Sequence, residues 1–209
     1  FVGAGYPRDA QAVLLAEVDG LDGGVDTYVD AIATVARANG ASLVRVAADD
    51  AERALLWKGR KSAFGAIARI KPDYYLHDAV VPRTKLVEVL LRVYEIAAAP
   101  DLMVMNVFHA GDGNLHPLIL FDGRDPGIWE RVYAAGTEIL DACIAAGGVL
   151  TGEHGVGIEK RDLMSRMFSP DDLDAQARLR DAFDPDGVAN PQKVLPRGSR
   201  CGEMQRVPD

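Results

Sequence analysis

The sequence predicts an α+β fold, with helices packed on one face of an antiparallel sheet. Strand-like apolar runs alternate with stretches whose apolar residues recur at helical spacing, in the order strand, helix, strand, helix, strand, helix, strand, strand, helix. That order would also suit a parallel doubly wound sheet. Against it, Asp112-Gly113 lies between the apolar runs 102–108 and 118–121, and such a tight turn joins antiparallel strands. No Gly-rich phosphate loop follows the first strand either.

Residues 12–18 form a nearly continuous apolar run and read as a buried strand, broken by the Asp/Gly-rich segment 19–24. Tyr28, Ile32, Val35 and Ala36 then fall on one helical face, and Asn39-Gly40 stops that helix. Residues 42–46 read as a second strand. Asp49 with Glu52 three positions later resembles a capping box, opening a helix that runs to about Ile70. Residues 73–81 read as a third strand, halted by Pro82. Leu86, Val89, Leu90, Val93 and Ile96 make a helical stripe that suits a core face. After the Asp-Gly hairpin, Asp125-Pro126 supplies an N-cap and first-turn pair for a helix through Trp129, Val132, Ile139, Leu140 and Cys143 to Gly147-Gly148. Ser169-Pro170 with Asp172 opens a last helix reaching Phe183. From 197 to 209 the chain is polar and is expected to be disordered.

At 209 residues the chain can bury one sizeable core or two small ones. Its net charge of -8 argues against a nucleic-acid partner, whose phosphates call for Lys and Arg. No apolar run reaches the ~18 residues of a membrane span, and no basic segment followed by an apolar core marks a secretory leader. A cytoplasmic protein is expected, held at a membrane only through a partner. Of the two cysteines, Cys143 lies in an apolar helix and Cys201 in the polar tail, a poor pairing for a disulfide or a thiolate metal site. The chain opens at Phe1-Val2-Gly3 without Met, as a piece of a longer polypeptide would.

The chemistry centres on residues 108–117, Phe-His-Ala-Gly-Asp-Gly-Asn-Leu-His-Pro. A two-residue turn at Asp112-Gly113 would pair Gly111 with Asn114, Ala110 with Leu115, and His109 with His116. Directly opposed residues have Cβ atoms about 4.5 to 5.5 Å apart, close enough for both rings to share a metal ion. Two histidines near a turn are otherwise ordinary solvated residues; a third group tips the balance. The chain has four histidines, and His154 stands beside Glu153 in the glycine-flanked segment 151–157. Two imidazoles and a carboxylate form a ligand set for zinc and related divalent ions, with positions left open for substrate. Glu153 and His154 are neighbours, so in extended backbone their side chains point to opposite sides. His77 has nothing nearby to complete a ligand set and reads as a packing residue. Gly152, Gly155 and Gly157 carry the spacing of a dinucleotide fingerprint in reverse order, and Asp112 and Asp122 are too isolated for a calcium loop. Lys58, Arg60 and Lys61 read as a solvated basic helix face, and Asn190-Pro191 as a turn.

His-Ala-Gly-Asp-Gly-Asn-Leu-His-Pro at 109–117, Gly-Glu-His-Gly-Val-Gly-Ile-Glu-Lys-Arg-Asp-Leu-Met at 152–164 and Asp-Pro-Asp-Gly-Val-Ala-Asn-Pro-Gln-Lys-Val-Leu-Pro at 184–196 occur in that order. Together they closely resemble the C-terminal domain of the FAD-linked 2-hydroxyacid oxidases and dehydrogenases, the group of glycolate oxidase, D-lactate dehydrogenase and D-2-hydroxyglutarate dehydrogenase. The resemblance runs from about Ala4 to Pro196. It implies a ferredoxin-like plait, one domain over residues 1–196, and FAD held mainly by an N-terminal domain absent from this chain, which alone should then be inactive. It implies that His109, His116 and Glu153 hold a divalent metal, zinc before Mn2+ or Fe2+, and that His154 is the base beside the flavin. Arg60, three residues after Trp57, would grip the substrate carboxylate through its planar fork. Asn190 and Lys193 would lie near the flavin.

The reaction so implied is oxidation of a D-2-hydroxy acid to the 2-oxo acid. Phe64, Leu76 and Leu118 stand where the 2-hydroxyglutarate enzymes would hold a distal carboxylate, which favours a short substrate such as glycolate or lactate. Electron acceptor, partner subunits and a homodimeric state are left open. Two rivals use the same residues differently: a metal hydrolase whose three ligands activate water, and a non-catalytic plait-fold binding module.

Overall fold

A computed structural model describes residues 1–21 and 23–196. Asp22 of the 19–24 break and the tail 197–209, expected to be disordered, lie outside the described residues. The chain divides into two compact units, Phe1–Arg69 and Ile70–Asp209.

The first unit is helical. Helix α1 (Val25–Ala38) stops where Asn39-Gly40 predicts, with Asn39 Nδ2 donating to Val35 O at 2.8 Å and Gly40 at φ +84°. Helix α2 (Asp50–Lys61) starts at Asp49, whose Oδ1 accepts from Glu52 N at 2.8 Å. The reciprocal half of the capping box is displaced by one residue, since Glu52 Oε2 takes the N–H of Ala48 at 2.7 Å. The helix does not continue to Ile70. It breaks at Ser62, and a short α3 (Ala63–Ile67) follows. The strands expected at 12–18 and 42–46 do not form, and Val13, Leu14, Leu43 and Val46 are exposed. Apolar composition supplies strand propensity, but a strand exists only through a partner's ladder of hydrogen bonds, and these two runs have none. Gly59 lies directly beneath Tyr6, where a Cβ would come within 2.7 to 2.9 Å of the phenol.

The second unit carries antiparallel sheets with helices against them, so the class is α+β. Strands β1 (Asp73–Leu76), β3 (Met103–Asn106) and β5 (Pro117–Phe121) form a three-stranded sheet in the order β1-β5-β3. Strands β2 (Ala79–Val80) and β4 (Asn114–Leu115) form a two-stranded sheet. The single strand expected over 73–81 is therefore split at His77-Asp78, its first half pairing with β5 and its second with β4. Helices α4 (Leu86–Ala98) and α5 (Ile128–Ala145) cover one face of the larger sheet. Val89, Val93 and Ile96 of α4, Val132, Ile139 and Leu140 of α5, and Ile119 and Phe121 of β5 make the core. Each such side chain contributes about 1.5 to 3 kcal/mol on burial.

Helix α5 begins later than Asp125-Pro126 suggests. Ile128 N donates to Asp125 O at 3.2 Å across Pro126 and Gly127, and Gly127 has φ +69°, the residue choice of a type II turn, so the dipeptide makes a turn before the helix. Its end is as predicted. Gly147 (φ +85°) donates to Ile144 O and Gly148 to Cys143 O, both at 2.9 Å, the paired bonds of a Schellman motif. Helix α6 (Pro170–Phe183) opens with a complete capping box between Ser169 and Asp172. A 3-10 segment, Arg161–Arg166, has no counterpart in the sequence reading. Among the described residues no helix is long and apolar enough to cross a membrane.

Candidate metal centre

The hairpin differs from the expected one in register. His109 N donates to Asn114 O at 3.0 Å and Asn114 N to His109 O at 3.2 Å, so residues 110–113 form the loop. The favoured two-residue turn needs φ above zero at both central positions. Gly113 has it, at +72°, but Asp112 does not, and the longer loop results. Gly113 is then pressed on the carbonyl of Val81, leaving no room for a Cβ, while its own carbonyl accepts from Val81 N at 2.9 Å.

Sliding the register by two residues preserves which face each side chain occupies. His116 comes opposite Val107, and His109 stands two residues further along on the same face. The rings still meet, edge to face, with centroids 5.5 Å apart.

Glu153 reaches them from a loop that β2 and Asp78 organise. Val149 N donates to Val80 O at 2.9 Å, delivering the chain beside β2. Asp78, two residues before Val80, then gathers the next turn on Oδ2: the Thr151 hydroxyl at 2.6 Å and the N–H groups of Gly152 at 2.9 Å, Glu153 at 3.1 Å and His154 at 3.0 Å. Lys160, itself buried, donates from Nζ to Asp78 O at 2.5 Å and Leu150 O at 2.9 Å, which fixes the base of the loop. Asn114 Nδ2 donates to Glu153 Oε1 at 2.9 Å. That oxygen lies 3.4 Å from His109 Nε2 and 4.0 Å from His116 Nε2.

One ligand atom from each of His109, His116 and Glu153 can be chosen so that all lie within 4.8 Å of one another. Two donors bonded to one ion at about 2 Å lie at most about 4 Å apart, so Glu153 Oε1 is already within range of both rings while the widest separation must close by a fraction of an ångström on the ion; the N, N, O set suits a borderline divalent cation. The His154 ring stacks on His116, 5.1 Å between centroids and 20° between planes.

The electrostatics favour a neutral ring beside anions. Burial holds the His116 imidazole below its ordinary pKa, partly countered by Asp78 and Glu153. Burial would raise the Asp78 carboxyl, but the Thr151 hydroxyl and the N–H groups of 152–154 outweigh it and bring it down to about 2. Lys160 is pushed down by burial against the pull of Asp78. His77 packs as expected, its ring 4.5 Å from that of Tyr75 and against Gly136.

Beside the cluster lies a cleft of about 400 Å³, lined by Leu76, His154, Gly155, Lys160 and Lys193 among others. Lys193 thus shares a wall with His154, and Asn190 stands behind it, its Oδ1 3.3 Å from Lys193 Nζ. This segment is strained: Asn190, Gln192 and the β-branched Val194 all have positive φ, Val194 at +73°. Surrounding bonds impose it, from Val194 N to Gly157 O at 2.8 Å and from Arg161 Nη1 to Gln192 O at 2.9 Å. Leu76 and Leu118 are cross-strand partners, and Leu118 is fully buried. Arg60 stands in the last turn of α2, in the first unit, one turn beyond Trp57. Asp78, Asn114 and Lys160 carry the support of the site; Asn114 and Lys160 lie within the quoted motifs without an assigned role, and Asp78 lies outside them. The signal that could have found Asp78 is a lone carboxylate inside an apolar run, where an acidic residue is rarely buried without a purpose.

A family model described as FAD linked oxidases, C-terminal domain, matches residues 1–194. The chain belongs to that family. Its relatives include the glycolate oxidase subunit GlcD of Escherichia coli (strain K12), 46% identical over 204 residues that make up 98% of this chain and 41% of that protein. GlcD of Bacillus subtilis (strain 168) is 38% identical over 94% of this chain and 42% of its own length. The mitochondrial D-lactate dehydrogenase (cytochrome) 1 of Saccharomyces cerevisiae is 30% identical over 82% of this chain and 30% of its own. The chain therefore spans well under half the length of these family members.

Proposed function

We propose that this chain is the substrate- and metal-binding part of an FAD-dependent dehydrogenase or oxidase that converts a D-2-hydroxy acid to the 2-oxo acid. The observation that carries the reading is the convergence of His109, His116 and Glu153 with the His154 ring stacked alongside. The relatives' names add support, since glycolate and D-lactate are both small 2-hydroxy acids.

His109, His116 and Glu153 would hold the metal, with zinc the ion to try before Mn2+ or Fe2+. A divalent ion bound there lowers the pKa of a coordinated hydroxyl and offsets the charge of an adjacent carboxylate. FAD, held largely by chain outside this sequence, would supply the acceptor for the α-hydrogen and its electron pair.

The chain's own residues do the rest. His154 accepts the hydroxyl proton, and Arg60 pairs with the substrate carboxylate. Lys193, backed by Asn190, borders the flavin side of the cleft. Leu76 presents an apolar wall, which favours the short glycolate or D-lactate over a dicarboxylate. The ferredoxin-like plait belongs to the same proposal.

The test is flavin reduction in the intact protein under anaerobic conditions with glycolate, D-lactate and D-2-hydroxyglutarate. The two short acids should reduce the flavin, and His154→Ala should slow that reduction by about 10² to 10⁴. Preference for the dicarboxylate, or His154→Ala within tenfold of the unaltered protein, would contradict the assignment.

A further inference from the structure

We infer that Asp78 is a positioning residue that fixes both the tautomer of His116 and the backbone carrying Glu153 and His154; the metal half of this inference rests on the function proposed above.

The two carboxylate oxygens are used differently. Oδ2 is saturated by Thr151 Oγ1 and the N–H groups of 152–154. Oδ1 receives none of these; it is buried and faces His116 Nδ1 at 3.8 Å, and that nitrogen is likewise buried without a hydrogen-bond partner. Two polar atoms closed off from water and facing one another are each satisfied only if Nδ1 carries the proton and points it at the carboxylate. At 3.8 Å the pair is longer than a hydrogen bond, and the inference requires the His116 ring to close that distance, since Asp78 is held by its contacts to the loop. With the proton on Nδ1, Nε2 presents a lone pair toward Glu153 Oε1, 4.0 Å away, on the side where the ligand atoms converge. The outer carboxylate thus sets which nitrogen can bind metal.

The same residue aligns the other half of the site. Consecutive N–H groups directed at one oxygen hold 152–154 in a single curl, so the Glu153 and His154 side chains diverge from a fixed base. Lys160 Nζ, 4.0 Å from Oδ2, offsets the buried charge. The carboxylate borders the cleft, but it stands outside the three-residue ligand cluster and its Oδ2 is engaged by the loop, so it is assigned to act through its neighbours.

Asp78→Asn separates these roles. With the amide oxygen kept on the Oδ2 side, the loop bonds persist, but the amide nitrogen now presents a donor to His116 Nδ1. That inverts the tautomer, leaving the proton on Nε2, where it blocks the ligand position.

The experiment uses the intact protein, 15N-labelled at histidine, with the His116 ring assigned by His116→Gln, and reads the tautomer in metal-free samples. In parallel, Zn2+ affinity is measured by competition with a chelator. The expected result is Nδ1–H in the unaltered protein, Nε2–H in Asp78→Asn, and Zn2+ binding weakened by about 10- to 100-fold in the variant. Nε2–H in the unaltered protein overturns the inference without need of any variant, which covers the case where Asp78→Asn does not fold. An unchanged tautomer in a folded Asp78→Asn, or Zn2+ affinity within twofold of normal, overturns it as well. If the unaltered protein binds no Zn2+ yet the tautomer inverts as described, the metal reading fails while the hold of Asp78 on His116 is upheld.

Discussion

Asn114 donates its side-chain amide to Glu153 Oε1 at 2.9 Å, while its backbone pairs with His109, so one buried residue ties the hairpin that carries both histidines to a loop 39 residues further on. The carboxylate is half exposed and would otherwise sample several rotamers. Holding it beside His109 before any ligand arrives reduces the ordering that binding must accomplish.

Asn114→Leu keeps the volume and removes that donor. Metal affinity should fall by about tenfold or more, about 1.4 kcal/mol, as expected when an outer partner of a ligand is lost. Calorimetric titration of the metal-free protein measures it, and an affinity within twofold of normal would show that Glu153 is placed by something else.

Gly152→Ala should disturb the same contact sterically. A Cβ there would come 2.7 Å from Val80 Cγ2 and 2.8 Å from the Asn114 amide group, with β2 behind the first and β4 behind the second. Overpacking of this kind costs about 1 to 3 kcal/mol. A lowering of Tm by about 2 to 10 °C in scanning calorimetry is the outcome expected. An unchanged Tm would mean that the loop relaxes freely.

His77 predicts a pH dependence. Burial pushes its imidazole down to about 3 from 6.5, so the folded state refuses a proton that the unfolded chain accepts. Stability is therefore unaffected above about pH 6.5 and declines as pH falls from there toward 3, by at most about 1.4 kcal/mol per pH unit. Asp78, held at about 2, adds its own loss as pH drops from about 4 toward 2, and His116, also held below 6.5 by burial, shares the window from 6.5 to 4 with His77. Denaturant titrations of His77→Leu across that window should show a shallower slope than the unaltered protein. Equal slopes would assign the acid sensitivity elsewhere.

Much of the site was legible because its residues lie close together in sequence. His109 and His116 flank one turn, and even a wrong register kept them on one face, since the error was two residues and side chains alternate. Glu153 and His154 stood out for their glycine neighbours. Helix α4 followed from apolar spacing, α1 from spacing and the stop at Asn39, and α6 from the cap at Ser169. What could not be read depended on distant pairing. Residues 12–18 and 42–46 have strand composition without a partner, and the run 73–81 divides because β5 and β4 take different halves of it. The convergence on Asp78 joins residues 73 to 76 positions apart, and no local pattern encodes it.

The central claim is that His109, His116 and Glu153 share one metal ion. The direct measurement is metal stoichiometry by elemental analysis of the intact protein, stripped with chelator and reloaded with Zn2+, beside His116→Ala and Glu153→Gln. One ion per chain in the unaltered protein, and less than a tenth of that in either variant, is the predicted result. Absence of stoichiometric metal in the unaltered protein, or full retention in both variants, would contradict it.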